Sequence, residues 1–553
     1  MDESKELDCL LVYIPKLDNF YKPIGNYFFA MQLPMGLLAI ADLVYKSSYS
    51  IEILHLGIEI ISNKDFSFEE YLKRTKPKVV GLSLHWYYQS YDVIESAKKI
   101  KLILPDSFIV LGGMTASYYA EQIMEEFNCI DAVVRGDGEK PFLKLLQEVF
   151  NKGNNFFDIP NLTWRDKNEI KRNQMTYVAE NSDLDELSFT NFRLIKNYSL
   201  YIKYARFPWI WPKGLSRAMN LKFILDASLV FPLTTYRGCL VDCSYCGGGK
   251  VAQEKINNRK KVSIRSIDRV IESIKAAQSY GYNTIYINYL PFEENPLYFD
   301  ELFKRIKEEK IRINCMLECS ALPSQDSIRL FKSAFLDSSA TQIFISPESG
   351  SEKVRRSNKG YFFDNQELTE CLRFISGFQI PIVLYFCLGL PFESIDDIKI
   401  SKDFQTLLKK SFRKYITIHT EPLSLIPASP MEIDPSRYGI IKTKKRFMDF
   451  FQNSGISNSS FFPTDLGYFK VDFCFSDQNC KGACDEFCFK RNLQKIKCKN
   501  FCKLVDLITG NRFVPSKAIF LLSKLLCNVS NVYWKLESLI NGRSYTYKSP
   551  NYN

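Results

Sequence analysis

The chain has 553 residues, 46% of them hydrophobic and 24% charged, a balance that excludes a disordered or fibrous protein and, at about 100–200 residues per domain, predicts three or four domains. Seventy-three Lys and Arg against 62 Asp and Glu leave a net charge of +11, spread along the chain. Such an excess permits an acidic partner but does not call for nucleic acid. The first residues, MDESKELD, are acidic where a signal peptide is basic, and no stretch reaches the roughly 18 apolar residues that span a bilayer. The expectation is a soluble cytoplasmic protein without a transmembrane segment.

The first 155 residues alternate strand and helix. Strands are predicted at Leu10–Ile14, Ile51–Leu56, Val79–Leu84, Phe108–Leu111 and Ala132–Val134. Helices are predicted at Met35–Tyr45, around Asp92–Leu104 and at Lys140–Phe150. This alternation predicts a doubly wound, Rossmann-like parallel sheet whose ligand lies at the carboxyl ends of the strands. Residues 156–225 form a linker region. It holds a hairpin at Asn161–Asn173 and the Pro- and Trp-rich segment Arg206–Gly214.

From residue 226 the alternation resumes. Strands are predicted at Leu233–Tyr236, Thr284–Asn288, Ile313–Glu318, Gln342–Ser346, Ile382–Leu388 and Tyr415–His419. Six β/α units up to residue 430 make a partial barrel of the (β/α)6 type, a shortened TIM barrel. Residues 431–553 read as a mainly helical, cysteine-rich domain, whose segment Lys517–Tyr533 has the apolar face of a packing helix.

The 16 cysteines are unevenly distributed. A reducing cytosol keeps thiols free, so clusters there point to metal or catalysis. Cys239, Cys243 and Cys246 lie within eight residues on a loop that follows a strand, ahead of Gly247, Gly248 and Gly249. Three thiolates can ligate three irons of a [4Fe–4S] cube and leave the fourth iron open to a substrate's amino and carboxylate groups. The competing metal is zinc, which takes four ligands; no fourth Cys or His stands nearby. A second group, Cys474, Cys480, Cys484, Cys488, Cys498 and Cys502, largely at helical spacing, is a possible second metal site or a set of packed thiols.

The triad loop, with Tyr245 before its last cysteine, resembles the defining motif of the radical S-adenosylmethionine superfamily. Ile345-Ser-Pro-Glu348-Ser349-Gly350 resembles that family's strand-four segment near ribose and methionine. Gly389-Leu-Pro391-Phe-Glu393 resembles its strand-five segment near adenine. The family's Gly-Gly-Glu after strand two is absent. Asn288–Asn295 stands there, and the partner of the methionine ammonium is left open. In the N-terminal half, Ser83, Gly112, Gly113, Thr115, Gly136 and Glu139 occur in the order seen in cobalamin-binding domains fused to radical enzymes. An ordinary flavodoxin-like domain is the alternative for the glycines alone. The histidine that ligates cobalt in many such domains is missing from the loop Pro15–Gly25. His85 is then a cobalt ligand or a wall of the pocket, and His419 a substrate-facing or a merely hydrogen-bonded residue.

The resemblance implies three cofactors. They are a [4Fe–4S] cluster on Cys239, Cys243 and Cys246, S-adenosylmethionine near Tyr245, Gly247, Glu348, Ser349, Gly389 and Pro391, and cobalamin near Ser83, Gly112, Gly113, Thr115, Gly136 and Glu139. It implies an enzyme that methylates an unactivated carbon of a natural product, lipid or peptide through a 5′-deoxyadenosyl radical and methylcobalamin. Flavodoxin or ferredoxin would supply the electron. The alternatives are ring formation, rearrangement or carbon–carbon bond formation with the same cofactors, and a cobalamin or redox sensor. A transfer RNA methylthiolating enzyme would need three further cysteines in its first domain, where only Cys9 and Cys129 stand.

Overall fold

A computed structural model describes residues 6–15, 33–62, 65–151, 155–199, 202, 229–338, 340–443, 446–459 and 473–475. The first sheet contains β1 (Cys9–Tyr13), β2 (Ile51–His55), β3 (Val79–Ser83), β4 (Phe108–Gly112), β5 (Ala132–Val134), β6 (Leu162–Asp166) and β7 (Glu169–Arg172), in the order β2-β1-β3-β4-β5-β6-β7. The first five strands are parallel. Every residue of β1 is buried, as helices on both faces require. The chain reverses its direction of winding between β1 and β3, which opens a crevice at their carboxyl ends. The predicted hairpin is β6–β7, and it joins this sheet antiparallel to β5.

The second sheet contains β8 (Val230–Pro232), β11 (Thr284–Tyr289), β12 (Asn314–Cys319), β13 (Gln342–Glu348), β14 (Ile382–Leu388) and β15 (Ile416–Pro422). It is parallel and ordered β15-β14-β13-β12-β11-β8. The described strands form an open six-stranded barrel with β8 and β15 at its edges. The first barrel strand lies a few residues before the predicted Leu233–Tyr236. Pro232 is tolerated there because an edge strand has one unpaired side. Tyr236–Arg237 is instead β9, a short antiparallel partner of β10 (Ser263–Ile264).

Each barrel strand alternates two environments. Ile285, Leu317, Ile343 and Leu384 face the helices in the main core. Met316, Phe344 and Val383, with Tyr286 and Tyr385, make a separate inner cluster. The helices begin on side-chain caps: Ser266 accepts from Arg269 N–H, Ser324 from Ser327 N–H, and Asp364 and Ser394 sit in capping boxes. Each such cap is worth about 1 kcal/mol.

Past Pro430 the described chain holds a short helix, a helix at Phe447–Ser459, and a two-stranded antiparallel sheet of β16 (Ile440–Thr443) and β17 (Phe473–Phe475). The helix returns to the first domain. Phe447 and Phe450 are fully buried in the core on one face of its sheet, against Tyr87, Tyr119 and Phe127. Burying each Phe is worth roughly 1.5–3 kcal/mol. Cys480–Cys502, Arg206–Gly214 and Lys517–Tyr533 lie outside the described residues, as does most of the loop Pro15–Gly25.

Candidate active site

The loop after β9 carries Cys239, Cys243 and Cys246, all free thiols. Backbone N–H groups point at each sulfur. Val241 donates to Cys239 Sγ (3.4 Å), Gly248 to Cys246 Sγ (3.4 Å) and Gly360 to Cys243 Sγ (3.3 Å). Burial nevertheless raises all three thiol pKa values, that of Cys246 to about 11, with the Gly248 N–H pulling it back. Ligation must therefore displace the thiol protons. Gly247 packs where a Cβ would come within 2.3 Å of Ile426 and 2.7 Å of the Pro427 carbonyl, so only glycine lets the loop close against the exit of β15. Among the described residues no three His, Cys, Asp or Glu side chains converge tightly enough to hold one metal ion. A cube spreads its three thiolates over three irons, and the donor set, three thiols with N–H groups directed at sulfur, fits it.

Facing the loop are the carboxyl ends of β13 and β14. Glu348 ends β13 at a register shift, with φ at +65°. Its carboxylate accepts from the Tyr245 hydroxyl (2.8 Å) and the Cys387 thiol (2.9 Å). Ser349 is fully buried. Its carbonyl takes two hydrogen bonds from the buried Arg355 guanidinium. Gly389 N–H donates to Glu393 (2.6 Å), whose pKa burial raises to about 7. The Pro391 carbonyl accepts from Asn358 (2.8 Å). On the inner wall below, Tyr385 stacks on His419 with ring centroids 5.4 Å apart, so His419 stands on the lumen side of β15.

The turn Asn358–Gly360 was not singled out in the sequence, yet it joins these parts. Ser244 N–H donates to the Asn358 carbonyl (2.9 Å), and the Ser244 hydroxyl to its side chain (2.5 Å). Asn358 also reaches Pro391, and Gly360 reaches Cys243. The available signal was an Asn-Lys-Gly run at the end of a short helix.

In the first domain, Ser83, Gly112, Gly113 and Gly136 lie at or just beyond the carboxyl ends of β3, β4 and β5. Gly113 has φ at +108°, and a Cβ there would strike the Leu84 carbonyl at 2.8 Å and His85 at 2.9 Å. The β3 and β4 exits thus touch through bare backbone. Thr115 donates to the His85 carbonyl (2.9 Å). Ser117 donates to the Gly113 carbonyl (2.8 Å) and accepts from Gly136 N–H (2.9 Å). His85 meets Trp86 edge-on at 4.7 Å. The residue is exposed, and the protein packed around its ring lowers its pKa, so it is neutral at pH 7.

Glu139 points to the other domain. Its carboxylate pairs with Arg237 (2.5 Å), two residues before Cys239. Asp137 pairs with the same Arg237 (3.4 Å) and with Arg259. Tyr118 adds a hydrogen bond to Glu432 (2.7 Å). The glycine-rich strand ends and the cysteine loop are therefore fastened together, a doubly wound cofactor domain joined to a barrel with an iron–sulfur loop at its mouth.

Comparison with known proteins agrees. Residues 23–146 match the B12 binding domain and residues 233–404 the radical SAM superfamily. The chain is 22% identical over 416 residues to an uncharacterized methyltransferase, PH0819, of Pyrococcus horikoshii, covering 74% of this chain and 80% of that one. It is 23% identical over 403 residues to cytidylyl-2-hydroxyethylphosphonate methyltransferase of Streptomyces wedmorensis, covering 67% and 72%. Its fold is similar to that of the radical S-adenosylmethionine methyltransferase TsrM of Kitasatospora setae (TM-score 0.57, 15% identity, 78% and 76% covered). It is also similar to that of the cobalamin-dependent radical enzyme OxsB (TM-score 0.58, 14% identity, 82% and 66% covered). The chain belongs to the cobalamin-dependent radical S-adenosylmethionine enzymes.

Proposed function

We propose that this enzyme transfers a methyl group to an unactivated carbon of a natural product, lipid or peptide bound in the barrel. The observation that carries the reading is the buried ion-pair network between Arg237, at the root of the cysteine loop, and Asp137 and Glu139, just past the glycine-rich β5 exit. It sets the two cofactor regions side by side, as a reaction using both requires. When bound, the cluster with S-adenosylmethionine supplies a radical that removes hydrogen, and cobalamin supplies the methyl group.

The chain's own residues bind, orient and exclude water. Cys239, Cys243 and Cys246 would hold the cluster. Tyr245, Gly247, Glu348, Ser349, Gly389 and Pro391 would surround S-adenosylmethionine. Ser83, Gly112, Gly113, Thr115 and Gly136 would shape the corrin cleft, which Glu139 supports through Arg237. Tyr385 and His419 would line the substrate lumen. The electron would come from a flavodoxin or ferredoxin, and a cytoplasmic setting would keep the triad reduced. Among the described residues no helix is long and apolar enough to cross a membrane.

The test is anaerobic turnover of reconstituted protein with methyl-labelled S-adenosylmethionine, a low-potential reductant and candidate substrates. Formation of 5′-deoxyadenosine together with labelled product supports the reading. A product that carries a new bond but no label would replace it with non-methylating radical chemistry.

A further inference from the structure

The Gly-Gly-Glu that would meet the amino end of S-adenosylmethionine is absent, and Asn288–Asn295 stands in its place. An aminocarboxylate that reaches the open iron still presents carboxylate oxygen and amino N–H groups to the protein, and in a partly desolvated site these need a donor and an acceptor, because unpaired polar groups there are costly. Two ionisable side chains at the mouth of the barrel form no hydrogen bond or ion pair with the described residues.

Lys359 is the first. It follows the helix Glu352–Asn358 and sits between Asn358, tied to Ser244 and Pro391, and Gly360, whose N–H meets Cys243. The residue is 7% exposed. Among the described residues its ammonium forms no salt bridge or hydrogen bond and rests 6.0 Å from the centre of the Phe363 ring. A lysine this buried is normally paired.

Glu318 is the second. It is the penultimate residue of β12, and its register partners are Asn288 and Phe344. Met316, two residues earlier, belongs to the inner cluster, and Leu317 to the outer core, so Glu318 faces the lumen. It too forms no hydrogen bond or ion pair with the described residues. Burial, then the neighbouring Glu348, raises its pKa, and Lys359 opposes the rise. One cation thus sits one residue from the N–H that meets Cys243 and within electrostatic reach of Glu318.

We propose that Lys359 and Glu318 form the clamp for the aminocarboxylate end of S-adenosylmethionine, Lys359 donating to its carboxylate and Glu318 accepting from its amino group. The inference rests on the radical S-adenosylmethionine reading. It assigns to two lumen side chains the task that the missing Gly-Gly-Glu leaves open.

The test measures binding to the full, cluster-reconstituted chain by equilibrium dialysis. The ligands are S-adenosylmethionine, decarboxylated S-adenosylmethionine and methylthioadenosine, which lacks the whole aminocarboxylate. Lys359→Met is expected to weaken S-adenosylmethionine about tenfold or more, as loss of a charge-assisted hydrogen bond does, and to leave the decarboxylated compound unchanged. Glu318→Gln is expected to weaken both amino-bearing ligands and to leave methylthioadenosine unchanged. Unchanged S-adenosylmethionine binding in either variant overturns the clamp, and so does an equal loss for all three ligands. If Lys359→Met alters the cluster potential without altering affinity, Lys359 balances cluster charge instead and the proposal fails. Should a variant lose its cluster, Lys359→Arg and Glu318→Asp replace it. Each keeps the charge, and each must retain the wild-type order of preference among the three ligands. Failure of the wild-type chain to bind S-adenosylmethionine at all would defeat the family reading, a result separate from these.

Discussion

The cysteine loop and the strand ends of the first domain prepare for their cofactors in opposite ways. The loop presents side chains: three thiols, each with an N–H aimed at its sulfur. The strand ends present almost none. At Gly113 the backbone of one loop lies against that of the next, and the nearby hydroxyls of Thr115 and Ser117 are engaged with carbonyls of the same loops. A metal cluster is held by bonds to particular atoms, so it demands particular residues at a particular spacing. A broad planar cofactor is held by shape, so it demands that side chains be absent. The first requirement is conspicuous in a sequence, and the second is shared with every glycine-rich nucleotide fold.

The largest effect that tests this contrast is loss of a ligand. Cys239→Ala, Cys243→Ala and Cys246→Ala should each abolish 5′-deoxyadenosine formation, because two thiolates do not retain an open-sited cube. Cobalamin binding should persist in each. Iron and sulfide counting beside corrin absorbance reads both, and cleavage retained in any one variant would undo the assignment. The mirror experiment is Gly113→Val. A β-branched residue at φ +108° both strains the backbone and collides with Leu84 and His85. Cobalamin affinity should fall at least tenfold while the iron content holds. Equal loss of iron would mean that the two regions fail together and that the contrast is false.

The bridge between the regions gives the next effect. Arg237→Met leaves the buried Glu139 carboxylate without its cation, while Asp137 keeps Arg259, and breaking one side of a buried pair costs about 3 kcal/mol or more. Denaturant unfolding of the holoenzyme should show the loss. A smaller effect depends on pH. The folded pKa of Glu393, about 7, lies above its ordinary 4.5. Its contribution to stability is therefore full below about 4.5 and declines as pH rises through 7. Glu393→Gln should flatten that decline, and an unchanged slope in melting temperature against pH would refute it. The smallest expected effect is none. In the cob(II)alamin spectrum of the wild type no nitrogen coupling should appear, and His85→Ala should leave it unaltered. A nitrogen splitting that vanishes in the variant would turn His85 from a wall of the cleft into a ligand.

Much of this architecture follows from local pattern. Buried runs such as Leu10–Ile14 and Ile382–Leu388, separated by helices with Ser and Asp caps, define two parallel sheets before any contact is known, because a strand covered on both faces must be apolar along its length. The triad was equally legible, since ligand spacing is a property of a few consecutive residues. Other features depended on what lay opposite. Glu139 reads as part of a cofactor motif, but its carboxylate meets Arg237, about a hundred residues away. The first barrel strand began before the apparent start because its edge position accommodates Pro232. Phe447 and Phe450 completed the core of a domain more than three hundred residues upstream. Lys359 and Glu318 carry no motif at all; only the fold sets one against the triad thiols and the other at the lumen wall. Short-range chemistry is written in spacing, whereas burial, ion pairing and the company a charge keeps are fixed by chain segments that the sequence does not put side by side.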